Sequence, residues 1–319
     1  MKFKQQMNEK VQNVERVLRV YMPTESSFQK TVVEAMNYTM SAGGKRIRPV
    51  FMQSVYELFG GCEEYIEPFM AAIEMIHTYS LIHDDLPALD NDDYRRGRKT
   101  AHIMYGEAMA ILAGDSLLNY AFETASKAFL MVAEPICTED NRVRDEDKIT
   151  LLSEELKIRR NLERAMAVLS KKPGIYGMIG GQVADVELTG SILTKEQLYY
   201  IYENKTGALI EASMMIGAIL ADASGEDLDK IEKAASNIGM AFQIQDDILD
   251  ETATFEELGK PIRSDEKNEK VTYVTIHGIE EAKTEVERLS NEACSLFETI
   301  DGDSTFLKDL ILYLIHRKN

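Results

Sequence analysis

A chain of 319 residues with 45% hydrophobic and 28% charged side chains has the composition of a globular protein able to bury a large core. Its net charge of −18 argues against nucleic acid or an anionic membrane surface as a long-range partner, so an anionic ligand would need local cations. No run approaches the roughly 18 apolar residues of a membrane span, the N-terminus lacks the apolar core of a signal peptide, and Cys62, Cys137 and Cys294 lack metal-ligand spacing, which together predict a soluble cytoplasmic protein with reduced thiols.

Val11, Val14, Leu18 and Tyr21 recur at spacings of three and four, predicting an amphipathic helix over Met1–Tyr21. Pro23 to Ser27 breaks it, and Ser26 or Ser27 offers an N-cap for a second helix reaching about Met40. Gly43-Gly44 then stops the chain and is followed at once by Lys45, Arg46 and Arg48. A glycine pair beside cations lets backbone N–H groups and side chains approach a phosphate, although the same cluster also suits a solvated turn. Further helices are predicted over Pro49–Phe59, ended by Gly60-Gly61, and over Glu63–Asp85, which is apolar on nearly all sides and so buried. His77 lies on the latter, where an isolated histidine is more often a hydrogen-bonded core residue than a ligand.

The stretch HTYSLIHDDLPALDNDDYRRGRKT, from His77 to Thr100, carries Asp84, Asp85, Asp90, Asp92 and Asp93. So much like charge raises carboxylate pKa values unless cations share the site, which points to bound divalent metal. Arg95, Arg96 and Arg98 follow, with guanidinium forks suited to phosphate. On an unbroken helix Asp84 and Asp90 would lie about 240° apart. Pro87 removes a donor and disfavours helical geometry at Leu86, which predicts a helix end or bulge between the two acids.

Glu107–Val132 reads as another long helix, and the charged segment from Pro135 to about Lys157 as a surface excursion. Gly174–Leu188 is glycine-dense for a helix, which predicts close approach of another helix or a ligand. Thr194 and Gln197 form a capping box opening a helix to about Ala221, interrupted at Lys205-Thr206-Gly207, where a loosened ladder frees a carbonyl. Ser224–Glu251 carries a second acidic motif, QDDILD, whose Asp246 and Asp250 lie about 40° apart on one helical face. A polar loop over Leu258–Tyr273 and two amphipathic helices, Ile279–Ile300 and Ser304–Arg317, finish the chain. No convincing strand appears, so the periodicity predicts an all-α bundle around a deep central cavity, with no evident repeat.

DDLPALD, DDILD, GGKRIRP at Gly43–Pro49 and NKTGALI at Asn204–Ile210 resemble the motifs of the trans-isoprenyl diphosphate synthases, most closely the bacterial-type farnesyl diphosphate synthases, from about Thr31 to Asn319. The resemblance implies a homodimer of the helical isoprenoid-synthase type, one domain over residues 1–319. It implies that Lys45, Arg48, His77 and Arg96 bind isopentenyl diphosphate, and that Arg95, Lys205, Thr206, Gln243, Lys260 and Lys270 serve the allylic diphosphate. Lys205, Thr206 and Gln243 are the expected catalytic residues, and Gln182 and Asp185 the expected walls. Asp84, Asp85, Asp90, Asp246, Asp247 and Asp250 are the expected metal set for about three Mg²⁺ ions with bound diphosphate, Mn²⁺ serving in their place. Asp84, Asp90 and Asp246 would be direct ligands, the others acting through water or orienting those ligands. Lys99, Ala101, Arg263 and Val271 depart from residues common in the family, which bears on loop detail.

The implied reaction condenses isopentenyl diphosphate with dimethylallyl or geranyl diphosphate to farnesyl diphosphate. Tyr79, five residues before Asp84, would lie about 7–8 Å back along the helix as the floor for a growing chain. A geranylgeranyl or geranyl diphosphate synthase is the nearest alternative. A class I terpene cyclase normally replaces the second acidic motif with an Asn/Ser/Glu pattern and has no need of GGKRIRP, whereas a non-catalytic partner subunit could have lost acidic residues that are present here.

Overall fold

Helix α4 (Glu67–Asp84) is buried along most of its length, with Phe69, Ala71, Ala72, Ile73, Met75 and Ile76 inaccessible to solvent. An apolar surface on all sides requires cover on all sides. That cover comes chiefly from α1 (Lys2–Tyr21), α3 (Ile47–Leu58) and α6 (Glu107–Ser126). The structure is a computed structural model and describes residues 2–24, 27–132, 145–252 and 271–316. Helix α4 starts later than its apolar pattern suggests, because a 3₁₀ turn over Glu64–Ile66 precedes it and Pro68 suits a first helical turn.

Helix α2 (Lys30–Met40) also starts late. Of the two serines expected as its N-cap, Ser26 lies outside the described residues and Ser27, at φ +58°, begins a 3₁₀ turn; Gln29 stands at the N-cap with no side-chain bond. Beyond α4 come a hairpin, the short α5 (Ala101–Tyr105), α6, α7 (Ala128–Met131) and α8 (Asp145–Lys171). Part of the excursion expected over Pro135–Lys157 lies outside the described residues, and its remainder is the start of α8. Helices α9 (Met178–Leu188) and α10 (Lys195–Ile201) follow, the latter opened by the expected Thr194–Gln197 capping box.

The interruption at Lys205-Thr206-Gly207 is one turn of π-helix over Tyr202–Gly207, joining α10 to α11 (Ala208–Leu220). Two glycines explain how it is packed. A Cβ on Gly181 of α9 would lie 2.2 Å from the Lys205 backbone N, and one on Gly239 of α12 (Gly225–Thr252) 2.6 Å from Gly207 Cα. Any larger residue would push those helices off the π-turn. Finally α13 (Tyr273–His277) and α14 (Ile279–Glu298) pack against α12, and α15 (Thr305–Ile315) closes the main core. A second core cluster under the π-turn joins Tyr202, Ile244, Ile248, Tyr273 and Leu289. The fold is all-α: the described strands are the two-residue pairs β1 (Tyr94–Arg95) and β2 (Arg98–Lys99).

Candidate active site

Helix α4 ends at Asp84, as Pro87 predicts, and the chain then folds back on itself. The Asp90 amide donates to the Asp84 carbonyl at 2.9 Å, and the Asn91 amide to that of Leu86 at 3.1 Å, with Asn91 at φ +52°. This turn returns Asp90 to the end of the helix that holds Asp84, which six-residue spacing on a regular helix would forbid. Burial, reinforced by the charges of Asp90 and Asp85, raises the Asp84 carboxyl to about 6 despite Lys205 and Arg95 nearby. Gln182 Nε2 of α9 donates to Asp84 Oδ1 at 2.9 Å.

Asp85 is buried and its pKa is raised by that burial, which Arg95 opposes. Arg95 Nε donates to its Oδ1 at 2.6 Å, and Arg95 Nη2 lies 2.5 Å from the same oxygen and 3.6 Å from Asp92. Arg95 is therefore tied to the first acidic motif. The antiparallel pairs Tyr94↔Lys99 and Arg95↔Arg98 leave Arg96 and Gly97 at the hairpin tip, at φ +51° and +73°. Two positive φ values in a two-residue loop are what a type I′ turn requires.

That tip delivers Arg96 to the glycine pair. Its Nη1 donates to the Gly43 carbonyl, and a Cβ on Gly44 would lie 2.8 Å from the same nitrogen. Arg48, at the start of α3, has a buried Nε with no hydrogen-bond partner, and burial lowers its pKa to about 10 while Glu74 opposes the shift. Burial, then Arg48 and Arg96, hold His77 well below the usual histidine range and so neutral. Lys45 is exposed at the edge of this group. Arginines crowded together and lowered by burial, beside an unpartnered buried donor, suit an anion.

Across the cleft the π-turn presents Lys205 and Thr206. Lys205 Nζ donates to Asp185 Oδ2 at 2.6 Å, and burial, which lowers its pKa, is outweighed by Asp185, Asp84 and Asp90. Thr206 Oγ1 donates to Gln243 Oε1 at 2.8 Å. Asp247 is buried, accepting from the Tyr202 hydroxyl, from the Tyr273 amide at 2.9 Å and from Gln243 Nε2 at 3.5 Å. Asp246 is half-buried and Asp250 buried on the same helix, α12. An open pocket is lined by Asp185, Lys205, Thr206, Gln243, Asp247 and Thr272. Lys260 and Lys270 lie outside the described residues.

Sequence reasoning missed Tyr202 and the hairpin. Tyr202 pairs with a residue 45 positions away, and two-residue strands leave no periodicity; Gly97 after the arginines was the local signal. The donors of both acidic motifs are hard carboxylate oxygens, and the like charges of Asp90 and Asp85 add to burial in raising Asp84, so the set suits Mg²⁺. Among the described residues no three His, Cys, Asp or Glu side chains converge on one point. An ion held here would draw part of its coordination from elsewhere. Nor is any described helix long and apolar enough to cross a membrane.

Comparison with known proteins agrees with this geometry. The polyprenyl synthetase family model matches residues 29–301. A geranylgeranyl diphosphate synthase from Cyanophora paradoxa is 42% identical over 289 residues, covering 90% of this chain and 88% of that one. A farnesyl diphosphate synthase from Micrococcus luteus is 38% identical over 303 residues, covering 95% and 94%. The crystal structure of an FPP/GFPP synthase from Zymomonas mobilis superposes with a TM-score of 0.78 at 28% identity, covering 98% of this chain and 99% of that one. A chain matched over nearly its whole length by the family model, by these relatives and by this structure belongs to the polyprenyl synthetase family and is a prenyltransferase.

Proposed function

We propose that this prenyltransferase condenses isopentenyl diphosphate with dimethylallyl or geranyl diphosphate and stops at farnesyl diphosphate. Lys45, Arg48, His77 and Arg96 bind the isopentenyl diphosphate. Lys205, Arg95, Lys260 and Lys270 clamp the allylic diphosphate. Asp84, Asp90 and Asp246 would hold Mg²⁺, which when bound neutralises charge on the departing diphosphate. Asp85, Asp247 and Asp250 complete that acidic set by orienting it, a role supported by the engagement of Asp85 with Arg95 and of Asp247 with Tyr202 and Tyr273.

As the allylic C–O bond breaks, both electrons leave with diphosphate and an allylic cation remains. The isopentenyl double bond attacks that cation, and the new tertiary cation loses a proton to the departed diphosphate. Thr206 and Gln243, hydrogen-bonded to each other at the π-turn, orient the reacting end, where backbone carbonyl dipoles favour positive charge. No protein nucleophile is needed.

The observation that carries the product length is Tyr79. It is 5% exposed on the helix that ends at Asp84, its hydroxyl is buried without a hydrogen-bond partner, and burial pushes its pKa up to about 12. Its ring meets the His83 ring edge-on at 5.8 Å. A buried aromatic held for its bulk rather than its hydroxyl suits a floor beneath a growing apolar chain. The relatives include both farnesyl and geranylgeranyl diphosphate synthases, so the deciding experiment is product length from dimethylallyl and labelled isopentenyl diphosphates. Fifteen carbons supports this reading, twenty the geranylgeranyl alternative, a cyclic hydrocarbon a cyclase, and no product from the purified chain a non-catalytic subunit.

The same reading has a cytoplasmic homodimer of one domain over residues 1–319. Exposed Ile103, Met104, Ile111 and Leu112 on α5 and α6 supply an apolar surface for a second copy. Sedimentation at micromolar concentration tests it.

A further inference from the structure

Arg46 stands between Lys45 and Arg48, yet its side chain is turned into the core and is 1% exposed. Its backbone lies in the left-handed region at φ +50°, uncommon for a residue with a side chain. Each of the three guanidinium nitrogens donates. Nε donates to Glu15 Oε1 on α1, Nη1 to Glu74 Oε1 on α4, and Nη2 to the carbonyl of Met40, the last residue of α2, each at 2.7 Å. The Arg46 carbonyl accepts from the Val50 amide at 3.1 Å and so closes the first turn of α3. One residue therefore ties four helices together at the glycine-rich bend.

A buried ion pair is a poor device for stability alone, since apolar residues of similar volume often serve as well or better. What the pair adds is fixed geometry. Glu74 is 2% exposed and precedes His77 by three residues, so the two share a face of α4. The Arg46–Glu74 bridge thus sets the distance between the Lys45 and Arg48 segment and His77. Arg96, bonded to the Gly43 carbonyl and seated over Gly44, takes its register from the same bend. Glu74 is also the acid whose charge opposes the effect of burial on both Arg48 and Arg96.

We propose that Arg46 and Glu74 form a positioning pair for the isopentenyl diphosphate site, holding Lys45, Arg48, His77 and Arg96 in place before the ligand arrives. The inference rests on the functional reading above and extends it to two residues that do not touch substrate. Preorganisation of this kind acts on the affinity for one substrate and leaves the other site alone.

The test is calorimetric binding of isopentenyl diphosphate without divalent ions or allylic substrate, together with the KM of each substrate, for the unmodified chain, Arg46→Met/Glu74→Met and Arg46→Lys. Removing both charges together strands neither member of the Arg46–Glu74 pair, and Glu15 is partly exposed to water, so the double variant should keep its melting temperature within a few degrees. It should bind isopentenyl diphosphate about 10- to 100-fold more weakly, with the allylic KM within about twofold. Arg46→Lys keeps the charge and loses the fork, should show the same split, and decides the matter if the double variant does not fold. Binding and both KM values within about twofold of the unmodified chain, or an equal rise in both KM values, overturns the pair as a positioning device. An unmodified chain that binds no isopentenyl diphosphate overturns the functional reading itself, a separate outcome.

Discussion

Lys205 Nζ, on the π-turn, is hydrogen-bonded to Asp185 Oδ2 of α9 at 2.6 Å. The cation assigned to the allylic diphosphate is thus held in place by an acid, and it also feels Asp84 and Asp90 of the first motif. Arg96 belongs to a different group, at the glycine pair. Lys205→Ala should raise the apparent KM for the allylic substrate about 10- to 100-fold, the scale of a lost charged hydrogen bond, whereas Arg96→Ala should do so for isopentenyl diphosphate. Steady-state kinetics with each substrate varied in turn checks the division; equal effects on both substrates in both variants contradict it.

Asp84 makes stability depend on pH. Its folded pKa of about 6 exceeds the roughly 3.9 of an unfolded Asp, so the folded chain binds this proton more tightly. The stability it contributes is full below about pH 4 and is lost as pH rises through about 6. Asp84→Asn, which keeps an acceptor for Gln182, should therefore raise the melting temperature of the metal-free protein at pH 7.5, by up to about 3 kcal/mol of stability, and have little effect near pH 4. Turnover of the same variant should fall by orders of magnitude. Thermal scans at the two pH values decide it, and a variant less stable at pH 7.5 would make the carboxylate structural.

Removal of divalent ions should abolish turnover. Excess chelator should bring product formation to background and Mg²⁺ or Mn²⁺ should restore it, because the hard oxygen donors of the two acidic motifs suit such ions. Undiminished turnover in chelator, measured with labelled isopentenyl diphosphate, would remove metal from the account.

Gly181 tests the packing that delivers Lys205. Gly181→Ala places a Cβ 2.2 Å from the Lys205 backbone N, where only the backbone can give way. It should cost about 1–3 kcal/mol of stability and lower kcat with the π-turn displaced. Chemical denaturation and kinetics on one preparation check both; unchanged values would mean that α9 moves without consequence.

Local signals in the sequence carried the parts of the site that depend on neighbours in the chain. Pro87 marks the end of α4, Thr194 and Gln197 cap α10, and Lys205-Thr206-Gly207 marks the π-turn. Pairings across long separations were not legible. Gln182 meets Asp84 across 98 residues and Tyr202 meets Asp247 across 45, and nothing within one helix encodes such partners. Arg46 shows the same limit: beside Lys45 and Arg48 it reads as one more surface cation, and only tertiary packing turns it into the core.

The central claim, a prenyltransferase with a fifteen-carbon limit set by Tyr79, is tested most directly by the product length of the unmodified chain and of Tyr79→Ala, assayed side by side. The expected result is farnesyl diphosphate from the former and products of twenty carbons or longer from the latter, with Mg²⁺ dependence unchanged. A variant that still stops at fifteen carbons would move the floor to another residue, with Ser80 and Ile76 next on α4, and an unmodified chain that runs past fifteen carbons would contradict the account.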